Sequence, residues 1–276
     1  MESTTETRPN GRALPLQTSR WQALRDLPWM VFLVWTAVGF IVLPLGFDER
    51  QIQAWLGNDA ETMRALATGV LRASDAIWIC LAASVVYLSV AAAEGLSNAR
   101  IWAAIILPCA ALVEWIGATT GFPFGPYVYT DRFGLRIGEV LPFTIPLAWF
   151  IILRGSRALV LWLRPAATRG ELCLSVALLG VLTDLNLEMI AWQARGYWIW
   201  SPGLTTSGSP VPTWPPWQNF LSWFGAMFLL CYLLPAGSGL RLHRPTWAAR
   251  RPATVLVLMN SLFLLSHLAQ WFRGPR

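Results

Sequence analysis

Seven apolar stretches, each 18 to 24 residues long, divide this sequence and leave mostly short polar segments between them. Stretches of that length can cross the hydrocarbon core of a bilayer as α-helices, and they are too long for β-strands. They cover about residues 28–47, 76–93, 101–119, 141–163, 171–194, 217–235 and 252–271. We therefore predict an all-α fold, a polytopic membrane helix bundle of about seven transmembrane helices.

The composition leaves little room for a separate soluble domain. Of the 276 residues, 55% are apolar and 13% are charged, whereas soluble domains are about 25% charged. Residues 1–27 are polar and are not followed by a small-residue cleavage site, which predicts an uncleaved cytoplasmic tail. Residues 28–276 are predicted to form a single transmembrane bundle.

The basic residues exclude several classes of protein. All 21 are arginine, so a retinal or pyridoxal phosphate Schiff base and a Walker A loop, which require lysine, are excluded. His243 and His267 lie far apart in the sequence and form no HxxxH or HExxH pair, so we expect no metal site. The arginines are spread over segments between apolar stretches, which favours a topology signal over a nucleic-acid partner.

Counting those arginines along alternating loops predicts the orientation. With the N-terminus inside, thirteen arginines fall on the cytoplasmic side and eight on the other, so we expect an inner-membrane protein with a cytoplasmic N-terminus. The segment between the first two stretches, residues 48–75, fits either an amphipathic surface helix or a solvated loop.

Three acids within or beside the apolar stretches are the first candidates for chemistry. An Asp at the centre of a membrane helix costs about 2.5–3.5 kcal/mol on insertion scales, so such groups usually have a function. Asp184 lies near the middle of the fifth stretch and Glu188 follows one turn later on the same helix face. Two acids packed there cannot both ionise cheaply, so one would be available as a protonated acid. The alternative is a buried carboxyl that serves bundle packing.

Glu114 is the third acid, and a stiff aromatic segment follows it. The segment FPFGPYVYT, residues 122–130, fits either an interfacial aromatic belt or the wall of a cavity that faces positive charge with ring quadrupoles. Glu114 itself could instead be a helix-end charge paired with Arg132 or Arg136.

At two places in the sequence, an apolar stretch that carries an acid is followed by an aromatic segment. GYWIW and PPWQNFLSWF follow Glu188, and a Trp-Phe pair comes 35 positions after Glu114 and again 35 positions after Glu188. The third and fourth stretches could therefore be a duplicate of the fifth and sixth, converging on one cavity. Coincidence in a chain with 17 tryptophans is the alternative.

The run FPFGPYVYTDRFGLRIGEVLPFTIPLAWF, with DLNLE, GYWIW and PPWQNFLSWF after it, resembles a family of membrane carotenoid biosynthesis proteins over about residues 100–235. That family includes carotenoid 1',2'-hydratases, which act on lycopene or gamma-carotene, and bisanhydrobacterioruberin hydratases. This chain departs from the family pattern at Glu188-Met189, where Asp-Pro is expected, and at Ser222, where Gly is expected. These departures bear on substrate choice and on the role of Glu188.

The resemblance implies a hydro-lyase that protonates a terminal double bond and captures water without a cofactor, with a carotenoid, membrane lipid and other carotenoid enzymes as partners. For that chemistry we expect Asp184 as the general acid, Glu188 or Glu114 as the group that holds the water, and Asn219 as a water orienter. The expected substrate-binding aromatics are Phe122, Phe124, Tyr127, Tyr129, Trp149, Trp198 and Trp223.

Two other classes stay open at this point. A carotenoid cyclase or elongase would use the same cationic chemistry, although the sequence has no DDxxD-like motif for a diphosphate and magnesium. A carotenoid transporter or binding protein would use the buried acids for proton coupling.

Overall fold

The computed structural model describes residues 15–45, 61–201, 214–234 and 247–273. Seven long α-helices fill this described part of the chain. They are α1 Pro15–Leu45, α2 Glu61–Glu94, α3 Leu96–Thr120, α4 Thr144–Leu163, α5 Arg169–Glu188, α6 Trp217–Leu233 and α7 Trp247–Arg273. The protein is a helical membrane bundle, as predicted.

Five of the described helical segments are long and apolar enough to cross a membrane. They are 73–94, 96–120, 144–163, 169–193 and 247–269. The apolar part of α1, residues 26–42, and the 17-residue helix α6 are shorter. Many large apolar side chains, such as Leu112, Leu163 and Leu182, point outward from the bundle, as they do where lipid is the solvent.

Helix α4 is the centre of the bundle. In its membrane-spanning window 78% of the residues are buried, compared with 28–50% in the other four. It packs against α2, α3, α5 and α7. Its side chains Trp149, Ile151, Ile152 and Leu153 are among the largest that are fully enclosed.

Local sequence signals fix the ends of the helices around the site. Thr168 and Glu171 form a reciprocal capping box at the start of α5, in which the Glu171 carboxylate accepts a hydrogen bond from the Thr168 backbone at 2.8 Å. Gly121 ends α3 in the left-handed conformation with φ 79°. After Glu188, a π-helix over Met189–Ala194 continues α5, and such segments are frequent at functional sites.

Two boundaries differ from the sequence prediction. Helix α1 begins at Pro15, so residues 15–27 of the expected tail are helical. Helix α2 begins at Glu61, so residues 61–75 are neither a loop nor a separate surface helix but the first turns of a spanning helix. Residues 48–60 lie outside the described residues. Hydropathy marks only the apolar part of a helix, and both of these helices extend beyond it.

The described loop segments contain four short strands that the sequence analysis did not predict. They are β1 Tyr127–Tyr129, β2 Arg136–Ile137, β3 Leu141–Pro142 and β4 Trp198–Trp200. Strands β2 and β3 form a small hairpin, whereas β1 and β4 form an antiparallel ladder between distant loops. We call the end of the bundle that carries the β1–β4 ladder the ladder end.

Candidate active site

The β1–β4 ladder joins the two aromatic loops and aims their rings into the bundle. Tyr127 lies opposite Trp200, and Tyr129 lies opposite Trp198. Because side chains alternate along a strand, these four rings all face inward, and only the central residue of each strand faces outward. Backbone hydrogen bonds close both ends of the ladder, from Thr130 N–H to the Tyr197 carbonyl and from Ser201 N–H to the Pro126 carbonyl, at 2.8 and 2.7 Å.

Glu114 lies beneath β1 and is enclosed by three donors. The hydroxyls of Tyr127 and Tyr129 each donate to its Oε2 at 2.7 Å, and the indole N–H of Trp149 donates to Oε1 at 2.8 Å. Its residue surface is 4% exposed. The alternative in which Glu114 pairs with Arg132 or Arg136 is therefore wrong, since Arg136 pairs with Asp131 and Glu139 and Arg132 donates to a backbone carbonyl.

Burial raises the pKa of both tyrosines above that of a free phenol, and the negative charge of Glu114 raises it further. Both hydroxyls therefore stay protonated through the physiological range. They act as neutral hydrogen-bond donors to the carboxylate.

Glu188 occupies the corresponding place beneath β4. The indole N–H groups of Trp198 and Trp200 donate to its Oε2 at 3.1 and 3.0 Å, and the Asn219 amide donates to Oε1 at 3.4 Å. An indole N–H can only donate, so Oε2 of Glu188 accepts two hydrogen bonds.

Asp184 lies one turn below Glu188 and has fewer partners. Among the described residues its only hydrogen bond comes from the Asn219 amide, which donates to Oδ2 at 2.6 Å. Asp184 and Glu188 are each 2% exposed and project to the same side of α5, as their spacing predicts. Asn219 is the third residue of α6, and its amide contacts both carboxyls.

The three carboxyls line one small cavity of about 40 Å³, which is room for a few water molecules. The Trp149 and Trp223 rings stack at the cavity wall with centroids 4.0 Å apart. The complete lining is Glu114, Phe124, Tyr127, Tyr129, Ile145, Ala148, Trp149, Asp184, Leu187, Glu188, Trp198, Trp200, Asn219 and Trp223. Across the described residues, no group of three His, Cys, Asp or Glu side chains is arranged to hold a metal ion.

The structure brings together all but one of the expected site residues. Phe122 is 74% exposed and does not line the cavity. Trp200, Ile145, Ala148 and Leu187 line it but were not expected. The alternation in the segment WIW places Trp200 on the same face as Trp198, so that signal was present in the sequence. The three aliphatic residues are indistinguishable from lipid-facing ones by sequence.

The contacts follow the equal spacings noted in the sequence. Glu114 and Glu188 are 74 positions apart, as are Trp149 and Trp223, and those two tryptophans stack on each other. Each glutamate accepts from the first and third residue of the strand that follows it, and the two strands pair with each other. Equivalent groups therefore meet around an approximate two-fold axis between β1 and β4.

Asp184 breaks this approximate symmetry. At the same offset of 74 positions, its counterpart is Ala110 and the counterpart of Asn219 is Ile145. The second half of the site thus carries an acid and an amide, whereas the first half carries two apolar residues.

Gly117 allows the Phe124 ring and the Tyr127 hydroxyl to pack closely against α3 beside Glu114. A Cβ atom added there would lie 2.6 Å from the Phe124 ring and 2.8 Å from the Tyr127 hydroxyl. We expect Gly117→Ala to displace that hydroxyl from Glu114 and to lower stability by about 1–3 kcal/mol, the usual cost of overpacking. A thermal melt of the purified protein measures this change.

Gly225→Ala is the matched control, because nothing lies within 4 Å of the Cβ position on that helical glycine. We expect it to melt within about 2 °C of the wild type. Equal melting temperatures for Gly117→Ala and the wild type would contradict the described packing at Glu114.

The chain matches a family of known proteins. The sequence profile of a family described as carotenoid biosynthesis protein matches residues 74–275. The chain belongs to this family. The match extends on both sides of the expected 100–235, because it includes most of α2 and all of α7.

A curated relative is the bisanhydrobacterioruberin hydratase of Haloarcula japonica. It is 33% identical over 115 residues, which are 40% of this chain and 36% of the relative. The matched segment thus spans about a third of that protein's length. No solved structure gives a significant match to the chain.

Proposed function

We propose that this carotenoid biosynthesis protein is a carotenoid 1',2'-hydratase. It would add water to the terminal double bond of an acyclic or monocyclic carotenoid, such as lycopene or gamma-carotene. The observation that carries the proposal is the cavity, which is lined both by a carboxyl with a single donor among the described residues and by two stacked tryptophans. A hydratase relative in the same family supports it.

Asp184 is the proton donor in this proposal. Hydrogen bonds to a carboxylate favour its charged form. Glu114 and Glu188 each accept three from side chains, whereas Asp184 accepts one. With three carboxyls in one enclosed space, the proton resides where ionisation is least supported, which is Asp184. Apolar residues such as Ile145, Ala148 and Leu187 line the same cavity. They would hold the terminal double bond of the substrate next to that proton.

The protonated intermediate is a tertiary carbocation, and the cavity supplies groups that stabilise positive charge. Trp149, Trp223 and Tyr127 line the cavity, and aromatic rings attract a cation through their quadrupoles. The Glu114 carboxylate adds a fixed negative charge, held in place by its three donors. None of these groups needs to move as charge develops.

Water capture completes the reaction. The Asp184 proton adds to the CH carbon of the terminal double bond, and the oxygen of a water adds to the neighbouring tertiary carbon. The proton that this water loses passes to Glu188 and returns to Asp184 one turn away. The product is a tertiary alcohol, and the reaction consumes only water, so it requires no cofactor.

Asn219 places the water in this scheme. Its amide N–H groups are directed to Asp184 and Glu188. Among the described residues its carbonyl oxygen has no partner, so it can accept a hydrogen bond from a water between the two acids. The apolar wall of Phe124, Ile145, Ala148 and Leu187 would receive the two terminal methyl groups.

Expression in a lycopene-producing bacterium, and separately in a gamma-carotene-producing one, tests the proposed reaction. We expect extracted pigments that are heavier by about 18 mass units for each modified end. Unchanged mass with a changed retention time would indicate a cyclase. Unaltered pigments in both hosts, with the protein folded in the membrane, would contradict the hydratase and favour a carotenoid transporter or binding protein.

The remaining proposals concern topology. The arginine count supports a multi-pass inner-membrane protein with a cytoplasmic N-terminus, a cytoplasmic tail over residues 1–27 and one bundle over 28–276. In that orientation the ladder end faces away from the cytoplasm. Alkaline phosphatase fused after Leu141 should be active and after Leu163 inactive, and the reverse pattern would contradict this orientation.

A further inference from the structure

The opposite end of the bundle carries two buried arginines that the proposed reaction does not use. Arg154 and Arg157 lie on one face of α4 and are 3% and 5% exposed. Both guanidinium groups lie over the ring of Trp102 in α3, with the central carbons 4.2 and 5.4 Å from its centroid. We call these three residues the arginine cluster.

Among the residues that the structure describes, the cluster has one neutralising partner. Arg154 forms an ion pair with Glu94 at the end of α2. Arg157 forms no ion pair or hydrogen bond with any described residue, and its guanidinium group lies over the Trp102 ring. A buried guanidinium without an anion is costly, because its loss of hydration is not compensated.

Hydrogen-bond donors also exceed acceptors there. The enclosed donors without a partner are Arg154 Nε and Nη1, Arg157 Nε and Trp102 Nε1. The corresponding enclosed acceptor is Glu94 Oε2. A site with net positive charge and unpaired N–H donors on planar guanidinium groups can bind a phosphate oxyanion.

The cluster lies within two helical turns of this end of the bundle. Arg157 is six residues from the end of α4 and Trp102 is six residues from the start of α3, which is about 9 Å in each case. At this end, the side chains that the structure describes include seven arginines and three carboxylates. The arginines are Arg100, Arg154, Arg157, Arg164, Arg169, Arg250 and Arg251, and the acids are Asp26, Glu94 and Glu171. Basic pockets between helices are typical binding sites for anionic headgroups.

We propose that the arginine cluster binds the headgroup phosphate of an anionic phospholipid, with Arg157 as the principal contact. The bound phosphate supplies the counter-charge that no described residue gives to Arg157. The lipid would hold α3 and α4 together on the side of the bundle away from the cavity, so the site does not depend on the carotenoid reaction.

Thermal melts of the purified full-length protein in neutral detergent test the proposal. We expect phosphatidylglycerol, at about 100 times its Kd, to raise the melting temperature by at least about 5 °C. Phosphatidylcholine, which has no net charge, should raise it by less than about 1 °C. Equal shifts with the two lipids would overturn the proposal.

Millimolar inorganic phosphate separates the two possible sources of the anion. No shift with phosphate alone supports a lipid as the ligand. The same shift as with phosphatidylglycerol would support the oxyanion site but assign it to a free ion rather than to a lipid.

Arg157→Met and Arg164→Gln form the variant pair. Arg164 is exposed and pairs with Glu171, so its variant should respond to phosphatidylglycerol as the wild type does. Arg157→Met removes an unpaired buried charge, so without lipid it should melt at or above the wild-type temperature and show no shift with phosphatidylglycerol. A full shift in Arg157→Met would overturn the proposal.

Native mass spectrometry of the wild type gives a result that does not depend on any variant folding. We expect one phosphatidylglycerol to stay bound at collision energies that remove phosphatidylcholine. Loss of both lipids at the same energy would contradict the site.

Discussion

Asp184→Asn should abolish most carotenoid hydration while leaving the protein folded. The asparagine carbonyl can still accept the hydrogen bond that Asn219 donates to Oδ2 at 2.6 Å, so the packing survives. It cannot supply the proton, and loss of a general acid costs about 10²–10⁴-fold in rate. Initial rates of pigment conversion in membranes, normalised to folded protein, measure this loss.

Asp131→Asn is the matched control for that substitution. It makes the same carboxyl-to-amide change on an exposed turn, where the Asp131 side chain is 84% exposed and contacts Arg136. We expect a rate within about two-fold of the wild type, since surface changes away from the site have small effects. Wild-type rates in Asp184→Asn would remove the proposed proton donor.

Glu114→Gln should separate the charge of Glu114 from its hydrogen bonds. The amide oxygen can accept from Trp149, and the amide N–H groups can donate to Tyr127 and Tyr129, whose hydroxyls can rotate to accept. The fold should therefore persist. The fixed negative charge is lost, and removal of a preorganised electrostatic group costs about 10²–10³-fold in rate.

Glu114→Leu shows what happens when the hydrogen bonds are lost as well. Three buried donors then have no acceptor, at about 1–3 kcal/mol each, and the protein should melt at a clearly lower temperature than Glu114→Gln. If Glu114→Gln converts carotenoid at the wild-type rate, Glu114 holds the loop in place and does not stabilise the cation.

The acid pair on α5 was predictable from the sequence. Hydropathy already indicates that helix, and Asp184 and Glu188 lie four positions apart on it. The equal spacing from each glutamate to its Trp-Phe pair was also visible in the sequence. Only the structure shows that this spacing brings Trp149 and Trp223 together in a stack.

The donors to the carboxylates were not predictable in the same way. Tyr127 and Trp200 reach their acids because β1 pairs with β4, and that ladder joins segments 71 positions apart. The alternation of aromatic and aliphatic residues in YVY and WIW is typical of strands, but a strand of three residues gives a weak signal. Local sequence also does not indicate which strand pairs with which. Phe122 was expected in the site because it begins the aromatic run, yet it precedes the turn that directs the following rings inward.

Helix ends beyond the apolar stretches were missed for a related reason. The extensions of α1 and α2 continue past the apolar part that hydropathy detects, into polar sequence. Likewise, the arginine count assigned Arg154 and Arg157 to the cytoplasmic side as topology charges, whereas the structure buries both within α4.

Carotenoid conversion in ¹⁸O-labelled water tests the central claim most directly. Purified wild-type protein in lipid nanodiscs, given lycopene or gamma-carotene, should form a tertiary alcohol that carries one ¹⁸O for each modified end. Asp184→Asn should form almost none, and Asp131→Asn should match the wild type. A product without ¹⁸O, or equal labelling in Asp184→Asn, would contradict protonation by Asp184 followed by capture of water.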